Sequence, residues 1–229
     1  TINNPKGGPN LPGVAKSWEI SQDGKTYIFN IHEDASWSNG EPVTAEDFVW
    51  SWQRILTASL GSQYPDMLYY VKNAKEFHQG EITDFDQVGV KAISDKTLAV
   101  ELHSPTAFFI KLLSHYSTYP VHKDTVLAFG SIDDRNGEWT RPGNFVCNGP
   151  FNLKSWELNK KIVVEKSPTY WDASKVRLNE IHFYPVSNES TEDRMFRAGQ
   201  LHVTNVVPLE KCPVYLEENN PNLRIDPYM

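Results

Sequence analysis

The local structure of this chain is clearest in one segment, Trp37-Ser-Asn-Gly-Glu-Pro-Val-Thr-Ala-Glu-Asp-Phe-Val-Trp-Ser-Trp52. Its pair Asn39-Gly40 tolerates positive φ, which a tight chain reversal requires. Thr44 can accept a hydrogen bond from a free backbone N–H at a helix start. Asp47, three residues later, stands where the acid of a capping box reaches back, although Glu is more usual there. The segment therefore predicts a turn followed by a capped helix.

Apolar side chains on the two sides of this turn follow two different periods. Those after the cap recur at helical spacing, at Phe48, Trp52, Ile55 and Leu56. Those before the turn alternate with polar residues, at Tyr27, Phe29 and Ile31, as in a half-buried strand. The unit is therefore predicted to be a hairpin, a turn and an amphipathic helix.

The rest of the chain also mixes hairpins with helices. Before about residue 122, the patterns predict hairpins from residues 18–20 and 26–31 and from 88–93 and 97–102, a helix over 68–79 ended by Gly80, and a short helix over 107–113. After it, they predict a short helix around 125–129, strands at 151–156, 161–166, 181–186, 201–205 and 223–228, and a helix capped by Ser190 and ended by Gly199. This mixture is typical of an α/β fold.

The composition limits the classes of partner. Hydrophobic residues make up 39% and charged residues 22%, which is typical of a folded globular chain. The net charge of −7, without a basic run, argues against nucleic acid and anionic membrane surfaces as partners. There is no apolar run of about 18 residues, the length that a spanning helix needs. Aromatic residues reach 12%, enough to fill a core or to line a ligand site.

The sequence contains no motif for catalysis or for a metal. Its seven histidines are scattered, and its acids, such as Glu46-Asp47 and Glu192-Asp193, stand in helix first turns that the macrodipole favours. We therefore predict no enzyme activity, no cofactor and no metal, with a carboxylate-pair hydrolase as the enzymatic alternative. The two cysteines, Cys147 and Cys212, form neither a disulfide framework nor a metal site, so one bridge and two free thiols both remain open.

Several motifs resemble those of one protein family. They are Ala15-Lys-Ser-Trp-Glu-Ile-Ser-Gln-Asp-Gly-Lys-Thr-Tyr-Ile-Phe-Asn-Ile-His32, Ala35-Ser-Trp-Ser-Asn-Gly-Glu-Pro-Val-Thr-Ala-Glu-Asp-Phe48, Val88-Gly-Val-Lys-Ala, Asn148-Gly-Pro-Phe, Ser167-Pro-Thr-Tyr-Trp and Arg197-Ala-Gly-Gln. Together they resemble the family 5 extracellular solute-binding proteins, the receptors of ABC importers, and most of all their periplasmic oligopeptide-binding branch. The resemblance covers nearly all of the chain. One departure is His32, where the family usually has Lys or Arg, at a position expected to lie on the surface.

The resemblance implies a type II periplasmic binding protein fold with mixed sheets, hairpins and flanking helices. Residues 1–122 would be the accessory lobe of the oligopeptide-binding branch, and residues 123–229 part of the first ligand-closing lobe, ending at the hinge. The sequence would thus be a fragment of a longer protein, with a signal peptide upstream and the second closing lobe downstream. We expect a monomer that is periplasmic, or lipid-anchored and extracellular in a Gram-positive source.

The resemblance also implies a function and three site residues. The parent protein would capture short peptides and deliver them to an inner-membrane ABC permease. Tyr64 and Tyr228 match peptide-contacting tyrosines, and Asn205 lies one residue before the position of an Asn that bonds the ligand backbone. His115 matches a histidine of the accessory lobe and is interpreted as structural. The Asp that pairs with the peptide ammonium lies on the lobe beyond residue 229, so the fragment alone should bind peptides weakly or not at all.

Two other functions remain open. The same family could supply a receptor for another ligand, a dipeptide, murein peptide, haem or nickel chelate. Related modules also serve as solute-sensing domains of transcriptional regulators. A DNA-binding segment upstream in the full-length gene would favour the regulator, and a signal peptide there would exclude it.

Overall fold

The structure is a computed structural model that describes residues 1–4, 6 and 8–225. These residues divide into two units by their internal contacts. Unit 1 comprises Thr1–Trp156 and Ile162–His182, and unit 2 comprises Glu157–Lys161 and the described part of Phe183–Met229. The predicted lobe boundary near residue 122 concerns the longer parent protein and stays a prediction.

A four-stranded antiparallel sheet forms the centre of unit 1. Its strands are β1 (Ala15–Ile20), β2 (Thr26–Ile31), β3 (Val90–Ser94) and β4 (Thr97–Glu101), in the order β1-β2-β4-β3. Both predicted hairpins are therefore confirmed. Phe29 pairs with Leu98 and Tyr27 with Val100, and all four side chains are at most 4% exposed. The alternating pattern thus places one apolar face of the sheet in the core.

Helix α1 (Ala45–Leu56) begins at the predicted capping box. The Asp47 N–H donates to Thr44 Oγ1 (3.4 Å), and the Thr44 N–H donates to Asp47 Oδ2 (2.7 Å). The same carboxylate oxygen also accepts from the indole N–H of Trp37 (3.2 Å), which is 1% exposed. Asp47 therefore caps the helix start and also accepts a hydrogen bond from a buried tryptophan of the preceding turn. In that turn, Gly40 has a φ of +92°.

The same helix buries polar side chains that the apolar pattern did not predict. Ser51 accepts from the Val121 N–H (2.9 Å) and donates to the Val121 carbonyl (3.3 Å). The Arg54 guanidinium, in a residue only 7% exposed, donates to the carbonyls of Ile132 and Asp134. Helix α1 therefore binds the segment around residues 121–134 through hydrogen bonds as well as packing.

The remaining helices of unit 1 are short. They are α2 (Ala74–His78), α3 (Phe109–Leu112) and α4 (Lys123–Ala128). The predicted helix over 68–79 is wrong in extent, because Asn73 adopts a φ of +62° and breaks it before α2 begins. Its predicted end is confirmed, since Gly80 has a φ of +77°.

A second sheet follows in the order β5 (Phe151–Glu157), β6 (Lys161–Lys166) and β7 (Glu180–Phe183). The strands predicted at 151–156 and 161–166 correspond to β5 and β6, and Asn159 at the turn between them has a φ of +57°, a conformation that Asn tolerates better than most residues.

Unit 2 contains α5 (Glu189–Arg197) and α6 (Cys212–Glu217). Asn188, not Ser190, caps α5, since its Oδ1 accepts from the Thr191 N–H at 2.8 Å. The predicted strand over 201–205 is wrong, because these residues pair with no neighbouring strand in the described part of the chain. A strand was also predicted over 223–228. Residues 223–225 form no strand, and residues 226–228 lie outside the described residues.

A buried ionic cluster links the two helices of unit 2. Asp193, 4% exposed, accepts from Lys211 Nζ and from the Tyr215 hydroxyl (2.6 Å), and Arg197 Nε lies 3.3 Å from its Oδ2. Burial by itself would raise the pKa of Asp193, but the hydrogen bonds from Lys211 and Tyr215 and the nearby positive charges keep that pKa below its ordinary value. The ionised carboxylate is therefore part of the folded state of unit 2.

Replacing Thr44 by Ala should lower the free energy of unfolding by about 1 kcal/mol, because the Asp47 N–H loses its acceptor. Urea unfolding followed by tryptophan fluorescence measures this change. Thr44→Ser keeps the hydroxyl acceptor and is the matched control. An equal loss in both variants would contradict a role for the capping hydrogen bond.

Replacing Asp193 by Ala should destabilise unit 2 by about 2 kcal/mol, because a buried tyrosine hydroxyl and two cations lose a charged partner. Hydrogen exchange of the α5 and α6 amides measures the effect on this unit. Glu157→Ala removes only an exposed ion pair with Lys160 and should leave those exchange rates unchanged.

The Asp193 contribution should also depend on pH with a defined sign. Its folded-state pKa lies below the unfolded-state value of about 3.9, so the stabilisation is complete above that value and is lost as the pH falls through the folded-state pKa. The Ala variant should lack this loss in acid. An identical acid dependence in both proteins would contradict the assignment.

Candidate functional site

Three rings form an exposed group on unit 1, which we call the aromatic cluster: Tyr64, His115 and Tyr116. The Tyr64 ring stands edge-on to His115 (centroids 5.1 Å apart, 71° between planes) and to Tyr116 (5.8 Å, 90°). The His115 and Tyr116 rings are 4.2 Å apart. Tyr64 is 38% and Tyr116 62% exposed, so large ring surfaces face solvent.

Buried neighbours fix the backbone on both sides of the aromatic cluster. Tyr64 directly precedes the 3₁₀ turn Pro65–Leu68, whose Leu68 is fully buried. On the other side, Thr118 is 3% exposed, and its carbonyl accepts from the indole N–H of Trp52 at 3.0 Å. The buried Trp52 side chain of helix α1 therefore helps to position the turn that carries His115 and Tyr116.

His115 has a structural role in this turn. Its Nδ1 accepts from the Ser117 N–H (3.3 Å) and lies 2.8 Å from the Ser117 hydroxyl, so the ring caps the 3₁₀ turn Tyr116–Thr118. This agrees with the structural interpretation of the residue. The sequence did not indicate that its ring contacts Tyr64, or that Tyr116 completes the group.

The other two predicted ligand contacts lie elsewhere in the chain. Asn205 is exposed in unit 2, and its backbone N–H donates to Glu192 Oε1 at 2.9 Å. Tyr228 lies outside the described residues. The ligand contacts of Tyr64, Asn205 and Tyr228 therefore stay predictions.

Unit 1 also contains an apolar cavity of about 330 Å³. Phe29 and Ile31 of the sheet, Phe48 and Trp52 of α1, and the pair Tyr170-Trp171 contribute to its wall. Asn148, Gly149 and Pro150 complete another part of it. Four of the motifs that carry the family resemblance thus line one cavity, which the sequence alone did not predict.

His32 was expected to lie on the surface, but its ring packs against Trp171, which lines this cavity. Its ring stacks on Trp171 with centroids 4.1 Å apart and planes 15° apart. Burial and the charge of Lys16 lower the pKa of His32. A neutral imidazole therefore occupies a position where the resembling family usually carries a cation.

His122 pairs with Glu41, and both residues line a second, more polar depression of unit 1. His122 is 7% exposed, and its Nε2 lies 2.6 Å from Glu41 Oε2. The hydrogen bond with His122 lowers the pKa of Glu41.

Within the described residues, no three His, Cys, Asp or Glu side chains converge as metal ligands would. Cys147 and Cys212 are free thiols, and burial raises the pKa of Cys147.

Among the described residues, no helix combines the length and the apolarity that crossing a bilayer requires.

Residues 11–229 match the family model described as bacterial extracellular solute-binding proteins, family 5 Middle. The periplasmic oligopeptide-binding protein OppA of Escherichia coli is 41% identical over 95% of this chain and 39% of its own length. The oligopeptide-binding protein OppA of Bacillus subtilis is 39% identical over 93% of this chain and 37% of its own. The chain thus spans about two fifths of the length of these relatives.

Solved structures agree with this match. OppA of Haemophilus influenzae in complex with RPPGFSPFR is 31% identical and superposes with a TM-score of 0.87, over 96% of this chain and 42% of that one. OppA of Burkholderia pseudomallei is 37% identical with a TM-score of 0.86, over 95% and 41% of the two chains.

Proposed function

Because this chain belongs to the bacterial extracellular solute-binding proteins of family 5, we propose that it is part of a receptor that captures short peptides for an inner-membrane ABC permease. The predicted α/β fold of the type II periplasmic binding proteins is confirmed. The observation that carries the proposal is the 41% identity, over 95% of the chain, to a protein named for oligopeptide binding. The solved relative that contains the peptide RPPGFSPFR supports the same ligand class.

The proposed receptor grips its peptide between two lobes. Residues 1–122 serve as the accessory lobe and residues 123–229 as part of the first closing lobe, while the second closing lobe comes from further chain. Tyr64, Asn205 and Tyr228 contact the peptide from this side. An acid on the opposing lobe pairs with the peptide ammonium, and closure strengthens that pair by excluding water.

The physical chemistry of the described surface suits this kind of recognition. A receptor that accepts many sequences must satisfy the regular backbone N–H and C=O groups of an extended peptide and leave room for side chains. Exposed ring faces, such as those of the aromatic cluster, provide contact area without demanding one charge.

The relatives are solute-binding proteins and not enzymes, and several are named as periplasmic. We propose in the same sense that this protein binds without turnover or cofactor. It acts as a monomer in the periplasm, or as a lipid-anchored extracellular protein in a Gram-positive source, and has no nucleic-acid partner.

The full-length protein should bind tri- to pentapeptides in calorimetric titrations, whereas the 229-residue chain should bind them weakly or not at all. The difference arises because a single exposed lobe leaves water competing for the peptide charges. The same peptides with an acetylated N-terminus are the control, and their loss of the ammonium should weaken binding to the full-length protein. Sub-micromolar binding by the 229-residue chain would overturn the two-lobe explanation, and no binding by the full-length protein would overturn the peptide assignment.

A further inference from the structure

Asparagine is followed by glycine at three places in the chain, Asn39-Gly40, Asn136-Gly137 and Asn148-Gly149. Such a pair is prone to lose the side-chain amide in water, because glycine has no Cβ to shield the backbone nitrogen that attacks it. The reaction needs a side chain that is free to turn toward that nitrogen. It also needs a backbone N–H that no hydrogen bond holds. The three pairs are alike in sequence, so the folded structure decides which of them reacts.

Hydrogen bonds restrain the first pair. The Gly40 N–H donates to the Trp37 carbonyl at 2.9 Å, which closes the turn before α1. Asn39 Oδ1 accepts from the Glu41 N–H at 3.1 Å, so its side-chain amide is held in the same turn. Both hydrogen bonds must break before the Gly40 nitrogen can attack the amide.

Packing restrains the third pair. Asn148 and Gly149 are half-buried and contribute to the wall of the apolar cavity, so water reaches them less freely than it reaches an exposed residue. The Gly149 N–H also bonds the Cys147 thiol, where it favours the thiolate and so acts to lower the pKa that burial raises. The attacking nitrogen of this pair is therefore held as well.

Asn136-Gly137 has neither restraint. Asn136 is exposed, and its side-chain amide makes no hydrogen bond with the described part of the chain. The Gly137 N–H likewise has no partner among those residues. The Asn136 N–H donates to Asp134 Oδ1 at 2.8 Å, so the backbone is held while the side chain stays free. Of the three pairs, this one alone leaves both reacting groups available.

Packing also requires a glycine at position 137. Its φ of −56° is open to any residue, so the backbone conformation does not demand glycine. A side-chain carbon there, however, would lie 3.1 Å from Trp139 Cδ1 and 3.2 Å from the Phe129 carbonyl oxygen, closer than ordinary van der Waals contact. The loop therefore keeps the reactive pair because a larger residue after Asn136 would be crowded.

We propose that Asn136 is a site of spontaneous deamidation and that it reacts before Asn39 and Asn148. The Gly137 nitrogen gives its proton to water and attacks Asn136 Cγ, the bond from Cγ to the side-chain nitrogen breaks, and ammonia leaves. One water molecule then opens the resulting succinimide. Opening at Cγ gives aspartate, whereas opening at the backbone carbonyl carbon gives isoaspartate, in which the main chain runs through the former side chain.

Either product changes the loop that carries residue 136. Each adds one negative charge beside Asp133, Asp134 and Glu138. Isoaspartate also lengthens the main chain two residues after Asp134, whose carbonyl accepts from the buried Arg54 of α1. The modification needs no enzyme and is independent of the ligand that the receptor binds.

The test incubates the full-length protein in H₂¹⁸O at mildly alkaline pH and then maps its peptides by mass spectrometry after digestion in ordinary water. Each deamidation leaves one ¹⁸O at the modified residue. Asn136 should convert about ten-fold faster than Asn39, the scale of the two hydrogen bonds that Asn39-Gly40 must first break. Asn39 is the matched control, since it is an exposed asparagine before glycine in the same molecule.

The same incubation in urea separates structure from sequence. The three pairs should then react at similar rates, because their hydrogen bonds and their burial are lost. Faster conversion of Asn39 or Asn148 than of Asn136 in the folded protein would overturn the inference. An unreactive Asn136, or a preference for it that persists unchanged in urea, would overturn it too, since the folded structure would then not select this site.

Two variants provide a second readout. The acidic species that accumulates during incubation should disappear from ion-exchange profiles of Asn136→Gln, because Gln forms the corresponding ring far more slowly. Asn39→Gln should leave that species almost unchanged. The opposite pattern would assign the modification to Asn39 and overturn the inference.

Discussion

The packing of helix α1 on the four-stranded sheet is the interaction on which the rest of unit 1 depends. Trp52 and Leu56 of the helix, at most 2% exposed, belong to the same buried cluster as Phe29 and Leu98 of the sheet. Full burial of one such side chain stabilises the fold by roughly 1.5–3 kcal/mol. Because α1 is packed against the sheet in this way, it can support the irregular segments that contact it.

Polar side chains of the same helix provide that support. Ser51, Trp52 and Arg54 direct their hydrogen bonds to backbone groups of the segments that follow α3. These contacts satisfy backbone groups that no sheet or helix uses, and the described residues contain no buried side-chain N or O atom without a partner. The turn that carries His115 and Tyr116 is thereby fixed by the core rather than by its own short 3₁₀ hydrogen bonds.

Three predictions of local structure failed, each for a different physical reason. Both Asn188 and Ser190 are suitable caps, and only the folded chain shows that Asn188 accepts from Thr191. The apolar spacing over residues 68–79 resembles one helix, yet Asn73 in the left-handed region divides it, which Asn tolerates and periodicity does not reveal. In unit 2, residues 201–205 were predicted to form a strand, but they have no partner strand among the described residues, and the Asn205 N–H donates to the Glu192 side chain instead.

The sequence by itself determined the two hairpins, the capped start of α1, the α/β class and the family, because each depends on residues close together in the chain or on a contiguous motif. Only the tertiary structure decided that Ser51 and Arg54 are buried, that His32 stacks on Trp171, and that Tyr116 joins Tyr64 in one cluster. These contacts link segments far apart in the chain. No local period specifies which distant segments meet, because that choice is made by how the sheet, the helix and the loops fill one shared volume.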